Sequence, residues 1–225
     1  MKPSPPSSLL LKQAAVLFGD DTERKAFIDA MMLAEAREQA IIVLDDRREI
    51  KTFPRLREQS WQPEFIVRLD DDFRPGKHPL YAKGAFYSLD FSSAFVASVL
   101  MGIIDAPRRV LDLCSAPGGK AVFAWRMFHP ELLACNETAR RRIPTLIANL
   151  ERCKIEGSLV WSADPSVWAH KFPQAFDLVI ADVPCSGQSL MAKGSPAPGA
   201  FTPKMIDMNV GRQRRIAGKA VQCLR

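Results

Sequence analysis

Short apolar runs alternate with amphipathic segments from residue 84 onward. Four runs predict buried strands: "RVLDLC", "LLACNE", "SLVWSAD" and "FDLVIADV". The segments that follow them, such as "GKAVFAWRMF", "ARRRIPTLIANLERCK" and "PKMIDMNVGRQRRIAGKAVQCL", have helical spacing. Continuous apolar strands that alternate with helices indicate a parallel sheet covered on both faces, which is the α/β class.

Residues 1–80 follow a different pattern. "MKPSPPSS" predicts a frayed tail, and "DDTERKAFIDAMMLAEAR" predicts a helix with Asp21 as its N-cap. "QAIIVLD" and "FIVRLDDD" predict strands, and the prolines of residues 70–83 predict a linker. We therefore predict a small N-terminal α+β region over residues 1–80 and a main domain over residues 84–225. An extension packed on the main domain is the alternative.

The composition narrows the class of protein. With 47% hydrophobic and 25% charged residues, the chain is typical of globular proteins. Five scattered cysteines, an odd number, argue against a disulfide framework or a zinc knuckle and favour a reducing cytoplasm. The three histidines are scattered, so we predict no metal site, and no apolar run is long enough for a signal peptide or a membrane span.

The charge is modestly basic, with a formal net charge of +6. Part of the excess is clustered, at 108–109, at 140–142 and around 212–215. Such clusters can neutralise the phosphates of a nucleic acid, but solvated helix faces carry the same pattern. The charge therefore permits a nucleic-acid partner without requiring one.

A glycine turn follows the first strand of the main domain. "VLDLCSAPGGK" places Gly118 and Gly119 between this strand and its helix, where ligands bind in doubly wound sheets. Glycines there let the backbone approach a ligand and offer N–H groups at a helix start. The turn matches neither the G-x-G-x-x-G fingerprint nor a P-loop.

Acidic residues follow the next two strands. Glu137 lies about 20 residues beyond the glycines, where a carboxylate can accept both ribose hydroxyls of a nucleoside. Asp164 follows the third strand, where it could accept from an adenine amino group. Helix caps and turns explain either acid taken alone, but the ordered set favours a nucleoside site. Trp161 and Trp168 flank Asp164 and either pack near the adenine or belong to the core.

"DLCSAPGGK" and "DVPCSG", in this order and spacing, resemble the RNA cytosine-5 methyltransferases of the Sun type. The resemblance covers residues 84–225. Within this family, the segment is similar to the enzymes that modify the small-subunit ribosomal RNA. The resemblance implies a Rossmann-like methyltransferase fold, S-adenosylmethionine as cofactor and RNA as partner. The implied cofactor-binding residues are Cys114, Ser115, Ala116, Pro117, Gly118, Gly119, Lys120, Glu137, Asp164 and Asp182.

The resemblance also implies a covalent mechanism. Carbon 5 of cytosine is a weak nucleophile until a thiolate adds to carbon 6. Asp182 would hold the edge of the base, Lys120 would lie near the active site, Pro184 would shape the turn, and Cys185 would assist release of the product. The attacking thiolate belongs to another cysteine, in a Thr-Cys motif on a later strand of these enzymes.

The 225 residues depart from this pattern, because none of their cysteines follows a threonine. Cys223 lies in an amphipathic helix, and we expect it to face the core. We therefore interpret the chain as a methyltransferase shortened before the nucleophile, with an incomplete sheet and no activity alone. Activity would instead indicate that Cys185 attacks. In an incomplete sheet, the fourth strand forms an edge, and an apolar edge strand has to be covered to avoid aggregation.

Three further expectations follow. Residues 188–204, with Lys193 and Lys204 among them, form a loop of Gly, Pro and Ser that we place beside an RNA-binding cleft. The main alternative function is a non-catalytic module that binds RNA or S-adenosylmethionine. A methyltransferase acting on amino groups is disfavoured, because such enzymes carry an Asn/Asp-Pro-Pro-aromatic turn where this chain has Asp-Val-Pro-Cys.

Overall fold

A computed structural model describes residues 5–32, 38–45, 48–187 and 202–225. The chain divides into two compact units. The larger unit comprises Glu38–Val183 and Ile216–Arg225 and holds both β-sheets. The smaller unit comprises Met1–Arg37 and Pro184–Arg215.

The described part of the chain contains seven strands and eight α-helices. The strands are β1 (Gln39–Val43), β2 (Ile66–Leu69), β3 (Phe86–Asp90), β4 (Arg109–Asp112), β5 (Leu132–Asn136), β6 (Ser158–Trp161) and β7 (Leu178–Ile180). The helices are α1 (Ser8–Leu17), α2 (Asp21–Met32), α3 (Pro79–Ala82), α4 (Phe91–Ser98), α5 (Gly119–Phe128), α6 (Ile143–Arg152), α7 (Pro165–Lys171) and α8 (Pro203–Cys223).

The parallel sheet has the strand order β6-β5-β4-β7. Successive side chains of a strand point to opposite faces. Val110 accordingly joins one core, with α5 and α6, while Leu111 joins a second core with α7 and the end of α8. Helices therefore cover both faces, and the predicted α/β fold is confirmed. Cys223 is buried in the second core, as predicted.

An antiparallel sheet, in the order β2-β1-β3, precedes the parallel one. The first two strands were predicted, but β3 was not. Ile42 of β1 packs in the core that contains α5, and Ile41 packs in a third core on the opposite face. Since β3 lies beyond residue 84, this sheet takes strands from both sides of the expected boundary. The division at residues 80–84 stays a prediction.

Residues 70–83 are not the linker that their prolines predicted. They contain a 3-10 helix at Pro75–Lys77 and helix α3, each with a proline in its first turn. Proline is tolerated there because the N–H it lacks would have no partner within the helix. The proline pattern therefore marked helix starts in a folded segment.

The N-terminal helices also differ from expectation. Asp20, not Asp21, caps α2, because its Oδ1 accepts from the backbone amides of Thr22 and Glu23 at 2.9 and 3.0 Å. Helix α1 begins inside the stretch predicted to fray, with the Ser7 hydroxyl accepting from the Leu10 amide at 3.2 Å. Serine and aspartate are strong caps, so the local chemistry favours both starts.

One buried carboxylate fastens the amino ends of β4 and β7. Asp177 Oδ2 accepts from the backbone amides of Arg108 and Arg109, each at 2.8 Å, and Asp177 is ion-paired with Arg225. Burial raises the pKa of Asp177, but these donors outweigh it and hold the pKa below its ordinary value. Within the described sheet, β7 and β6 form the two edges, and Phe176, just before β7, makes an isolated parallel bridge with Leu224.

Candidate cofactor and active site

The glycine turn lies at the carboxyl end of β4. The Ser115 amide donates to the Asn136 carbonyl at 2.8 Å, and the Gly118 amide donates to the Ser115 carbonyl at 2.7 Å. Gly118 has a φ of +113°, and a Cβ there would lie 3.3 Å from Leu146 Cδ1. A side chain would therefore strain both the backbone and the packing, which explains the glycine.

Helix α6 and the 3-10 helix just before it, Arg140–Arg142, contact this turn through side chains. Asn149 Nδ2 donates to the Pro117 carbonyl at 2.9 Å, and the Arg142 guanidinium donates to the Ala116 carbonyl. These bonds occupy two carbonyl oxygens of the turn. Its conformation is therefore determined by side chains of the following βα unit as well as by the turn itself.

Lys120 and Asp182 meet across the strand ends. Lys120 lies in the first turn of α5, after the glycines, and Asp182 follows β7. Their Nζ and Oδ2 atoms are 2.7 Å apart, with 22% and 55% of the side chains exposed. The motifs "SAPGGK" and "DVPCSG" are therefore joined through one charged pair, 62 residues apart in sequence.

Asp112 is a buried acid at the same end of β4. Its Oδ1 accepts from the Cys114 amide at 3.2 Å, and Oδ2 has no hydrogen-bond partner among the described residues. Burial raises the pKa of Asp112 to about 7. The pKa of the neighbouring Cys114 thiol rises to about 12, through burial and then through the carboxylates of Asp112, Glu137 and Asp182. Cys114 is thus a neutral thiol, unsuited to nucleophilic attack.

Glu137 follows β5 and is buried, with 5% of its side chain exposed. Its Oε1 accepts from the Ala139 amide at 2.8 Å, and Arg142 Nη1 lies 3.1 Å from Oε2. Asp164 follows the next strand and caps α7, its Oδ1 accepting from the Ser166 amide at 2.9 Å. Both acids lie where predicted, and both also have the turn or cap role of the alternative interpretation.

The two tryptophans beside Asp164 belong largely to the core. Trp168 is buried in the core under α7, and its ring centroid lies 4.9 Å from that of the partly buried Trp161. The core interpretation is therefore confirmed for Trp168.

Pro184 and Cys185 belong to the smaller unit. Cys185 is exposed, and its Sγ accepts from the Gly187 amide at 3.4 Å. The Pro184 carbonyl accepts from Gln213 Nε2 at 3.0 Å. Cys185 is therefore not a buried residue of the apolar core.

The loop expected beside an RNA cleft lies mostly outside the described residues, including Lys193. Lys204 is described and is exposed in the first turn of α8. The described residues include no group of three or more His, Cys, Asp and Glu side chains suited to a metal ion. No described helix combines the length and apolarity that crossing a membrane requires.

The acidic residues at the strand ends suit S-adenosylmethionine. The cofactor carries an ammonium group, a sulfonium centre and ribose hydroxyls, and carboxylates at strand ends complement all three. The electrostatic surroundings of Cys114 include the carboxylates of Asp112, Glu137 and Asp182, so the strand ends do concentrate acids. Asp112 Oδ2, which has no hydrogen-bond partner among the described residues, adds a further polar atom at these strand ends.

Two residues of this region were missed from sequence. Asp112 ends an apolar run, the same signal that identifies the other acids, but it also fits the interior of the predicted strand "RVLDLC". Asn136 directly precedes Glu137 but is uncharged, so a search for acidic residues passes over it. Its side chain is fully buried and hydrogen-bonded. A rule that inspects every polar residue at a strand end would have found both.

A parallel sheet with this glycine turn defines a Rossmann-like α/β protein. A family profile described as 16S rRNA methyltransferase RsmB/F matches residues 104–225, and the chain belongs to that family. The predicted resemblance is thereby confirmed.

Individual relatives agree with the family. The ribosomal RNA small subunit methyltransferase F of Serratia proteamaculans is 31% identical over 173 residues, which cover 76% of this chain and 36% of the relative. The corresponding protein of Escherichia coli O157:H7 is 31% identical over 163 residues, 72% of this chain and 34% of the relative. The chain therefore spans about a third of the length of these curated relatives.

Solved structures confirm the fold. The crystal structure of NSun6 from Pyrococcus horikoshii with SFG superposes with a TM-score of 0.73 at 15% identity, covering 97% of this chain and 80% of that one. The structure of PH0851 gives a TM-score of 0.78 at 18% identity, covering 100% of this chain and 54% of that one.

Proposed function

We propose that the chain is the cofactor- and cytosine-binding part of an RNA (cytosine-5) methyltransferase that uses S-adenosylmethionine. The observation that carries the proposal is the 2.7 Å pair between Lys120 Nζ and Asp182 Oδ2, which joins the two motifs of the resemblance. The names of the curated relatives support small-subunit ribosomal RNA as the substrate.

The cofactor would lie over the ends of β4, β5 and β6. The backbone of the turn from Cys114 to Gly119 would approach it closely, because Gly118 has no side chain in the way. Glu137 would accept from the ribose and Asp164 from the adenine. S-adenosylmethionine supplies the methyl group when it is bound.

Asp182 would hold the polar edge of the cytosine, and Lys120 would keep its carboxylate in place until the base arrives. The 55% exposure of Asp182 leaves that carboxylate accessible to a substrate. Cys185, exposed and three residues further on, would take part in releasing the product. Pro184 would shape the turn between them.

The attacking thiolate is not assigned to a residue of this chain. By the resemblance it stands in a Thr-Cys motif, and the 225 residues contain none. We expect the isolated chain to bind S-adenosylmethionine without forming 5-methylcytosine. This expectation favours, as a second candidate for the isolated chain, a non-catalytic module that binds RNA or cofactor.

Calorimetry with S-adenosylmethionine tests the site directly. We expect Glu137→Ala to weaken binding about tenfold, the effect of one lost charge-assisted hydrogen bond. Glu131→Ala is the matched control, because Glu131 is an exposed acid near the opposite end of the same strand and pairs with Arg108. Equal affinity of wild type and Glu137→Ala would count against the proposed site.

Mass spectrometry of RNA treated with the chain tests whether the isolated chain is catalytically active. Absence of 5-methylcytosine with measurable cofactor binding would support the module for the isolated chain. Formation of 5-methylcytosine that is lost in Cys185→Ser would contradict our expectation and assign the attack to Cys185.

A further inference from the structure

We propose that Asn136 is the positioning residue of the cofactor site, holding three strand-end loops in register through one buried side chain. The inference rests on the proposed function, because the loops concerned carry the residues that we assign to the cofactor. Asn136 itself is fully buried and is expected to act through its neighbours.

The contacts of Asn136 reach the ends of β4, β5 and β6. Its Nδ2 donates to the Leu113 carbonyl at 3.1 Å, in the loop after β4. Its Oδ1 accepts from the Ala163 amide at 3.0 Å, in the loop after β6. Its own backbone carbonyl accepts from the Ser115 amide at 2.8 Å. One residue therefore joins all three loops.

The side chain is also tied to helix α7. Oδ1 accepts from Trp168 Nε1 at 2.8 Å, so both lone pairs of this oxygen are used. Trp168 is itself buried, and its ring packs against Trp161 and Phe172. This contact anchors the amide in a rigid aromatic core.

Each loop that Asn136 holds carries a proposed cofactor residue. Glu137 follows it directly, Asp164 follows Ala163, and the turn that begins at Cys114 follows Leu113. A displacement of Asn136 would therefore move a ribose acceptor, an adenine acceptor and the glycine turn together. A carboxylate that moves to about 3.6 Å from its donor, or far out of line with it, no longer forms the hydrogen bond.

The contacts require an amide at this position. One atom must donate to a carbonyl while the other accepts from two N–H groups, and asparagine supplies both in one plane. An ionised aspartate keeps the acceptor but opposes the Leu113 carbonyl with an oxygen. Alanine leaves the Leu113 carbonyl, the Ala163 amide and the Trp168 indole without their partner.

The test compares the 225-residue chain with Asn136→Ala, Asn136→Asp and Leu133→Ala. Leu133 is buried in the same strand, three residues upstream, so its truncation lowers stability without touching the loops. Cofactor affinity is measured by calorimetry under conditions where circular dichroism shows each variant folded. Amide exchange at Ala163 and Ser115 reports the loops directly.

We expect Asn136→Ala to bind S-adenosylmethionine about tenfold or more weakly than wild type, from loss of the buried hydrogen bonds that set the loops. Exchange should rise at Ala163 and Ser115, and Leu133→Ala should retain wild-type affinity. Asn136→Asp should bind more weakly while Ala163 stays protected, and this variant decides the question if Asn136→Ala does not fold.

Unchanged affinity in a folded Asn136 variant would overturn the positioning role, as would an equal loss in Leu133→Ala. The two proposals fail differently. A wild-type chain that binds no S-adenosylmethionine contradicts the proposed function, whereas normal wild-type binding with an unaffected Asn136 variant contradicts this inference alone.

Discussion

The acids and the thiols near the strand ends differ in burial, and therefore in their protonation and accessibility. Asp112 is enclosed, whereas Asp182 is about half exposed and paired with Lys120. Cys114 is kept neutral by burial and by nearby carboxylates, whereas Cys185 is exposed. Residues of the same type, close in sequence to the same motifs, are therefore suited to different tasks.

The raised pKa of Asp112 predicts a pH dependence of stability. Its pKa is about 7 in the folded chain against an ordinary 3.8, so the folded state binds the proton more tightly. The stability that this provides is fully present below about pH 4 and is lost as the pH rises to about 7. We expect the free energy of unfolding of Asp112→Asn, relative to wild type, to increase over this range by a few kcal/mol, at about 1.4 kcal/mol per pKa unit.

Urea unfolding of both proteins at several pH values between 4 and 8, without cofactor, measures this difference. Subtracting the two curves removes the titration of every group that they share. Curves that run parallel across the range would show that Asp112 has an ordinary pKa in the folded chain.

At the scale of elements, short connections determine how closely helices approach the sheets. Gly84 lies between α3 and β3 with a φ of +72°, and a Cβ there would be 1.7 Å from the Arg152 carbonyl oxygen at the end of α6. Arg152 also donates to the carbonyls of Tyr81 and Phe86 at 3.0 and 3.1 Å. The antiparallel sheet and α6 are thus joined through backbone contact at a glycine.

We expect Gly84→Ala to destabilise the chain by at least about 2 kcal/mol, because the methyl group must displace a backbone carbonyl and the backbone is left-handed. Gly102→Ala is the matched control, since a Cβ at Gly102 meets nothing within 4 Å. Denaturant titration of the two variants gives both values. Similar stability of Gly84→Ala and Gly102→Ala would contradict the close approach.

Element types were largely predictable, and the exceptions have physical causes. Strands β4, β5 and β7 are apolar runs because helices pack on both of their faces, whereas β6, at an edge of the sheet, is only partly buried, with Leu159 50% exposed. Strand β3, in "AFYSLD", carries no clear alternation, and its place is set by pairing with β1. Asp20 and Asp21 are adjacent acids, so only the hydrogen bonds identify the cap.

At the scale of the whole molecule, the net charge of +6 bears on RNA binding. We expect affinity for single-stranded RNA to fall as salt rises, with Lys193→Ala and Lys204→Ala each weakening binding and flattening the slope of log affinity against log salt by about 0.7 per lost phosphate contact. Lys25→Ala is the control, because Lys25 Nζ already lies 2.7 Å from Asp29 Oδ2. Fluorescence anisotropy between low and moderate salt measures the slopes.

A Lys193→Ala, Lys204→Ala double variant with wild-type affinity and slope would remove these lysines from the RNA interface. An equal effect of Lys25→Ala would indicate only a general contribution of charge.

The sequence by itself determined the class of fold, the family and the order of the motifs, because these depend on local patterns of apolar runs, glycines and acids. Only the tertiary structure decided which of those residues meet. The Lys120–Asp182 pair and the hydrogen bonds of Asn136 join residues that are tens of positions apart in sequence. The raised pKa of Asp112 results from its burial in the folded chain. Burial and hydrogen bonding across strand ends depend on the packed sheet, and no local pattern records them.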